Sequence, residues 1–194
     1  MSKFLVIAEK PSVAQSYAKN LSAYKREDGY LEGESCIVSW CLGHLAEYAQ
    51  PEEYDPKYEK WQFDDLPIFP EAWKLKVSKD KKKQFDVLKG LMNRSDVEYL
   101  VNGCDAGREG ELIFQRVYVL AGCRKPVKRL WISSMEDAAI QKGFQTMKSE
   151  EEYKNLCMAA VCRAQADWLI GMNGTRAYTC LLYTSPSPRD GLLS

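Results

Sequence analysis

Two short stretches concentrate side chains able to do chemistry. One is DAGREGE, which sets Asp105, Glu109 and Glu111 close together. The other is EKPS, with Glu9 and Lys10 directly after an apolar run. Crowded carboxylates raise each other's free energy and need compensation. A solvated turn at a helix start is the plain solution, since the helix dipole favours acidic side chains there. A phosphate-cradling loop does not fit, because Gly-x-x-x-x-Gly-Lys-Ser/Thr is absent. Acidic residues would also repel phosphate unless a divalent cation stood between. Carboxylates at a strand end, among small residues that allow close backbone approach, suit Mg²⁺. That ion takes few protein ligands and keeps its waters.

The flanking elements must position these groups. Phe4 to Ala8 reads as a strand, and Pro11 suits the first turn of a helix. Val13, Ala14, Tyr17, Ala18 and Leu21 recur at helical spacing. Residues 23–33 read as a polar turn, and SCIVSW as a strand leading into CLGHL. Residues 50–73 carry Pro51, Pro56, Pro67 and Pro70 among aromatics, which predicts a folded surface loop. SKDKKKQFDVLKGLM reads as a helix whose lysine run is a solvated face. Val97 to Val101 is a second apolar strand, closed by NGCDAG, and Leu112, Ile113, Val117 and Leu120 mark a helix after it. VKRLWIS reads as a strand, SMEDAAIQKGFQTM as a helix capped by Ser134, and residues 150–171 as further helix. This alternation predicts an α/β fold: a mainly parallel sheet with helices on both faces. Sites in such sheets lie outside the carboxyl ends of strands. Glu9 and Asp105 both fall at such ends, so the two are expected to face one crevice.

The 194 residues suffice for one good core and part of a second unit. With 45% hydrophobic and 28% charged residues the composition is that of a soluble globular protein. A formal net charge of zero argues neither for nor against a site that concentrates charge locally. No apolar run reaches the roughly 20 residues of a membrane span, and MSKFLVIAEK is charged too soon to be a signal peptide. Seven cysteines without a Cys-x-x-Cys indicate neither zinc nor a disulfide framework. They read as reduced thiols in a cytoplasmic protein, Cys104 included, mostly packed as small hydrophobes.

Taken together, AEKPS, GHL (Gly43 to Leu45), DAGREGE and RAQADWLIGMNGTRAYT (Arg163 to Thr179) resemble the toprim domain of type IA DNA topoisomerases, nearest the topoisomerase III branch. The resemblance spans residues 2–179. It implies a toprim, Rossmann-like fold over residues 1–149 and the helical start of a following DNA-binding domain over 150–179. It places the family's glutamate on Glu9 with Lys10 beside it. The acidic triad Asp-x-Asp-x-Glu falls on Asp105, Gly107 and Glu109, so the middle acid is missing. The implied metal ligands are Asp105 and Glu109, with Glu9 or Glu111, holding Mg²⁺. In this chemistry a tyrosine attacks a DNA phosphodiester and keeps the 5′-phosphate, storing the bond for resealing. Glu9, crowded by Asp105, can protonate the leaving 3′-oxygen, and Lys10 can stabilise phosphate charge. Arg163 and Arg176 would contact single-stranded DNA, with Asp167 orienting an arginine. His44 is either a packed turn histidine or a substrate contact. The implied partner is single-stranded DNA, met by a monomer, with no membrane.

The resemblance ends at Thr179. CLLYTSPSPRD looks like a translated sequencing adapter: TGT CTC TTA TAC ACA TCT encodes Cys180 to Ser185. Residues 180–194 are therefore expected to be a non-native tail. The family's nucleophilic tyrosine is expected in a domain this chain lacks, and Tyr183 is not it. Two rival readings are another toprim enzyme, a nuclease or primase, and a non-catalytic DNA- or metal-binding module. EKPS and DWLIGMNGTRAYT speak against the former.

Overall fold

A computed structural model describes residues 2–182 of the chain, which divide into two compact units. The first comprises residues up to Glu47 and Leu75–Val161. Its centre is a sheet ordered β2-β3-β4-β1-β7-β8-β9. The strands are β1 (Lys3–Ala8), β2 (Lys25–Glu27), β3 (Tyr30–Glu32), β4 (Cys36–Trp40), β7 (Val97–Gly103), β8 (Val127–Arg129) and β9 (Lys148–Ser149). The short β5 (Ala46–Tyr48) and β6 (Leu75–Val77) lie where the chain leaves this unit and returns. The inner strands β4, β1, β7 and β8 are parallel, and the outer ones add antiparallel.

Strand β1 shows why the inner sheet is buried on both sides. Leu5 and Ile7 enter one apolar cluster, Val6 and Ala8 the other, and all four are fully buried. Strand side chains alternate between faces, so a run apolar on both must be covered on both. Helices α2 (Lys82–Met92) and α3 (Arg108–Ala121) cover the first face through Phe85, Leu88, Ile113 and Phe114. Helices α1 (Pro11–Asn20) and α4 (Asp137–Gln145) cover the second through Ala14, Tyr17, Ala18 and Ile140. Pro11 opens α1, and Gly122 closes α3 in the left-handed conformation, at φ 66°. Four of the cysteines, Cys36, Cys41, Cys104 and Cys123, are buried in these clusters, and all seven are free thiols.

Three local expectations change. Residues 23–33 are not a plain turn but contain the hairpin β2–β3, in which Glu27 pairs with Tyr30 across Asp28-Gly29. Gly29 sits at φ 87°, where an L side chain is strained. Asp-Gly between two short strands is a hairpin signal, masked here because this edge is charged. Ser134 is not the cap of α4, which begins at Asp137; its hydroxyl accepts from the Glu136 N–H at 3.3 Å. Residues 150–161 belong with the first unit rather than opening the next.

The second unit combines Tyr48–Lys74 with the residues from Cys162 onward. The proline-rich segment forms 3-10 turns at Pro51–Glu53, Pro56–Glu59 and Phe63–Asp65. Its backbone is satisfied by side chains of α5 (Lys154–Leu182). Trp168 donates to the Ala49 carbonyl at 3.1 Å. Asn173 accepts from the Ile68 N–H at 2.6 Å and donates to its carbonyl at 3.1 Å. The Trp168 ring meets Tyr54 and Trp73 edge-on, with centroids 5.8 and 5.4 Å away. Cys180, Leu181 and Leu182 form the last turn of α5, while Tyr183 and the rest of the expected tail lie outside the described residues.

Gly110 ties the first turn of α3 to the end of β7. A Cβ at 110 would stand 2.1 Å from the Asp105 carbonyl oxygen, whereas one at Gly107 would meet nothing within 4 Å. Backbone cannot yield as a side chain tip can. Gly110→Ala is therefore expected to destabilise the chain by about 1–3 kcal/mol in chemical denaturation, with Gly107→Ala close to the parent. Equal midpoints for the two variants would disprove the close contact.

Candidate active site

The parallel pairing of β1 with β7 sets Ala8 opposite Gly103. The next residues out are Glu9 on one strand, and Cys104 then Asp105 on the other. Both leave the sheet at the carboxyl edge, side by side, as the strand runs predicted. The loop after β4 folds onto the same edge. Cys41 N–H donates to the Ala8 carbonyl at 2.8 Å, and Gly43 N–H to the Glu9 carbonyl at 3.3 Å. Gly43, at φ 65°, turns the chain so that His44 follows. His44 Nε2 is hydrogen-bonded to Glu109 Oε1 in the first turn of α3. His44 therefore joins the acidic edge rather than packing as an isolated turn residue.

Glu9 is 8% exposed. Lys10 Nζ stands 3.5 Å from its Oε1, while its Oε2 is buried without a hydrogen-bond partner. A buried carboxylate oxygen left bare is costly unless something in the working state fills the gap. Asp105 and Glu109 are exposed, and the Lys10 ammonium is more than half exposed. The edge thus presents carboxyl oxygens, one ammonium and one imidazole. Such a set can hold a hard cation, move a proton, or meet an anionic substrate through the ammonium. Among the described residues no group of three or more His, Cys, Asp and Glu side chains gathers as a preformed metal cage.

Glu111 is corrected. Its carboxylate is wholly buried, receives the Arg129 Nε at 2.5 Å, and points into the protein rather than toward Asp105. Residues two apart on a helix face nearly opposite ways, so Glu109 and Glu111 could not both serve the edge. Arg176 is corrected too. Its guanidinium is nearly buried in the second unit, donates to the Tyr58 carbonyl at 2.6 Å and to Glu52 at 3.4 Å, and lies 4.9 Å over the Trp61 ring. It fastens the proline-rich segment instead of facing solvent. Arg163 and Asp167 form an exposed pair on α5 at 3.6 Å.

Sequence reasoning passed over Arg129, Tyr17, Asn102 and Glu150. Arg129 is fully buried at the end of β8, and Asn102 is buried within β7. The Tyr17 hydroxyl donates to the Gly103 carbonyl at 3.0 Å, and burial pushes its pKa up, which keeps it a donor. Burial and the neighbouring Glu111 carboxylate push the Glu150 carboxyl up to about 7, despite the opposing pull of Arg129. No local pattern marks these groups: β8 is Val-Lys-Arg, and nothing in those three residues separates the buried Arg129 from the neighbouring Lys128.

The comparisons with known proteins agree with one another. The Toprim domain family matches residues 4–135. DNA topoisomerase 3 of Bacillus subtilis (strain 168) is 51% identical over 179 residues, which is 92% of this chain and 25% of that protein. DNA topoisomerase 3 of Bacillus licheniformis is 49% identical with the same coverage. The chain spans about a quarter of the length of the curated relatives it matches. Among solved structures, full-length topoisomerase I from Thermotoga maritima matches with a TM-score of 0.50 at 18% identity, over 77% of this chain and 22% of that one, a likeness of fold.

Glu150 gives a pH dependence. Its folded pKa, about 7, lies above its ordinary 4.5. Between those values the folded chain holds a proton that the unfolded chain has lost, so stability falls as pH rises through that window. Glu150→Gln removes the titration. After discounting for its partial exposure, it is expected to stabilise by about 1 kcal/mol at pH 8, with the gain vanishing near pH 4.5. Thermal unfolding at the two pH values measures this, and a pH-independent difference would contradict it.

Proposed function

The chain belongs to the Toprim domain family, and from that premise we propose that it is the amino-terminal part of a type IA DNA topoisomerase of the topoisomerase III kind. The parent would cleave, pass and reseal single-stranded DNA through a 5′-phosphotyrosine, with the tyrosine supplied from outside residues 1–194. The observation that carries this reading is the edge itself: Glu9 and Asp105 leave adjacent parallel strands together, and Glu9 holds a bare, buried Oε2.

The residues fit Mg²⁺. They offer exposed carboxylate oxygens at Asp105 and Glu109, which suits an ion held by one or two carboxylates plus substrate phosphate. Asp105 would hold it, with Glu109 in support while bonded to His44, which leaves Glu9 for the proton. Bound Mg²⁺ would orient the DNA backbone and offset its charge. The chain's own groups do the rest. Glu9 Oε2 is the atom able to give a proton to the leaving 3′-oxygen and take it back on resealing. Lys10 Nζ, exposed beside it, can stabilise charge on the phosphate. Arg163, oriented by Asp167, is an exposed cation of α5 available to a phosphate. The reading further makes the protein a cytoplasmic monomer. No described helix is long and apolar enough to cross a membrane.

The test is the 194-residue chain with Mg²⁺, supercoiled plasmid and a single-stranded oligonucleotide. It should bind Mg²⁺ weakly and neither cleave nor relax DNA. Cleavage lost on Glu9→Gln or Asp105→Asn would instead make it a metal-dependent nuclease. Cleavage lost on Tyr183→Phe would make that tyrosine a nucleophile.

A second outcome concerns Gly107, where the resembling family has an acid. A side chain there has open space. Gly107→Asp is expected to tighten Mg²⁺ binding about ten-fold by calorimetry, and no change would mean that position 107 does not face the ion.

A further inference from the structure

We propose that Arg129, helped by Tyr17, is a positioning residue that fixes the backbone from which Asp105 projects. The proposal rests on the reading of Asp105 as a metal-binding carboxylate. It is carried by where the guanidinium spends its hydrogen bonds. The two hydrogens of Nη1 are shared among the carbonyls of Asn102 at 3.0 Å, Cys104 at 2.6 Å and Leu130 at 2.9 Å. Nη2 donates to the Asp105 carbonyl at 2.8 Å, and Nε to Glu111 at 2.5 Å. Tyr17 takes the one carbonyl of this stretch that Arg129 does not reach, that of Gly103, at 3.0 Å. Every carbonyl from Asn102 to Asp105 therefore has a side-chain donor. This is unusual for the end of a strand, where carbonyls ordinarily turn to water.

The arrangement is rigid for physical reasons. A guanidinium is a planar fork that can hold several acceptors at fixed angles; an ammonium is a point charge on a flexible stem. Arg129 is fully buried, so its charge must be met inside the protein, and Glu111 meets it. The Trp131 ring lies 5.1 Å from the guanidinium carbon and is itself stacked on Tyr153. Gly110 presses against the Asp105 backbone from α3. With its own carbonyl held inward, Asp105 has only its side chain to offer the edge. Arg129 touches no substrate in this role; it acts through the peptide of Asp105.

Three substitutions decide the matter, Arg129→Lys, Tyr17→Phe and Asp105→Asn, each alone in the 194-residue protein and the first two also combined with Asp105→Asn. Two quantities are read, amide hydrogen exchange at residues 103–107 and Mg²⁺ affinity by calorimetry with the metal alone. Arg129→Lys is expected to speed exchange at 103–107 at least ten-fold while the β1 and β4 amides stay within two-fold. It should also weaken Mg²⁺ about ten-fold in the parent and not at all in the Asp105→Asn background. Tyr17→Phe should do the same to a smaller degree, and it decides the question if Arg129→Lys does not fold. Uniformly faster exchange, or an equal Mg²⁺ loss with and without Asp105, would reduce the clamp to general stability and overturn the proposal. If Asp105→Asn leaves Mg²⁺ binding unchanged, the metal reading fails, and local exchange at 103–107 alone then decides whether the clamp exists.

Discussion

Parallel strands that pair in register end at the same edge, and everything chemical in the first unit depends on β1 and β7 doing so. Their pairing sets Ala8 against Gly103, so Glu9 and, one residue past Cys104, Asp105 leave the ladder at the same edge. The constraint is enforced from both faces. Leu5 and Ile7 cannot slip by one residue without exchanging places with Val6 and Ala8, which pack in a different cluster. A site built this way takes its precision from the core.

That precision has an electrostatic complement behind the edge. Arg129 and Glu111 are charged and sealed from water, an arrangement whose desolvation penalty rivals its attraction. The pair is therefore weak evidence for stability and better evidence for specificity of shape. Truncating either member would strand the other charge, at a cost of about 3–5 kcal/mol. Glu150 shows the strain of packing another carboxyl nearby: its proton is retained far above the usual carboxylate range. The two sides of the edge thus divide their labour. Exposed carboxylates at Asp105 and Glu109 stay available, while buried groups one layer down hold the backbone still.

Much of this was legible in the residues. Strands β1 and β7 announced themselves as apolar runs, and their ends located Glu9 and Asp105. What escaped reading were directions. Glu111 sits two positions beyond Glu109, and helix geometry alone turns it inward, yet a cluster in one dimension looked like a cluster in three. Arg176 was assigned to a DNA phosphate by the resemblance alone. It lies eight residues beyond Trp168, on the same face of α5, and that face is occupied by the proline-rich segment. Arg129 escaped because a lone arginine in a short strand has no local pattern; its partners come from β7 and α3, up to 27 residues away in sequence.

The second unit draws on two stretches of chain, 48–74 and the part beyond 162, with most of the first unit's sequence between them. Translation delivers these stretches in order. The aromatic segment with Tyr54, Trp61 and Trp73 leaves the ribosome long before Trp168, Asn173 and Arg176 exist to receive its rings and carbonyls. The first unit's sheet also needs β7 and β8, but these too precede α5 and can close while synthesis continues. Loop closure over such a separation is slow, and unpaired apolar surface is prone to association in the meantime. The nascent chain therefore completes the strands that form the acidic edge before the residues that receive its aromatic segment have been made.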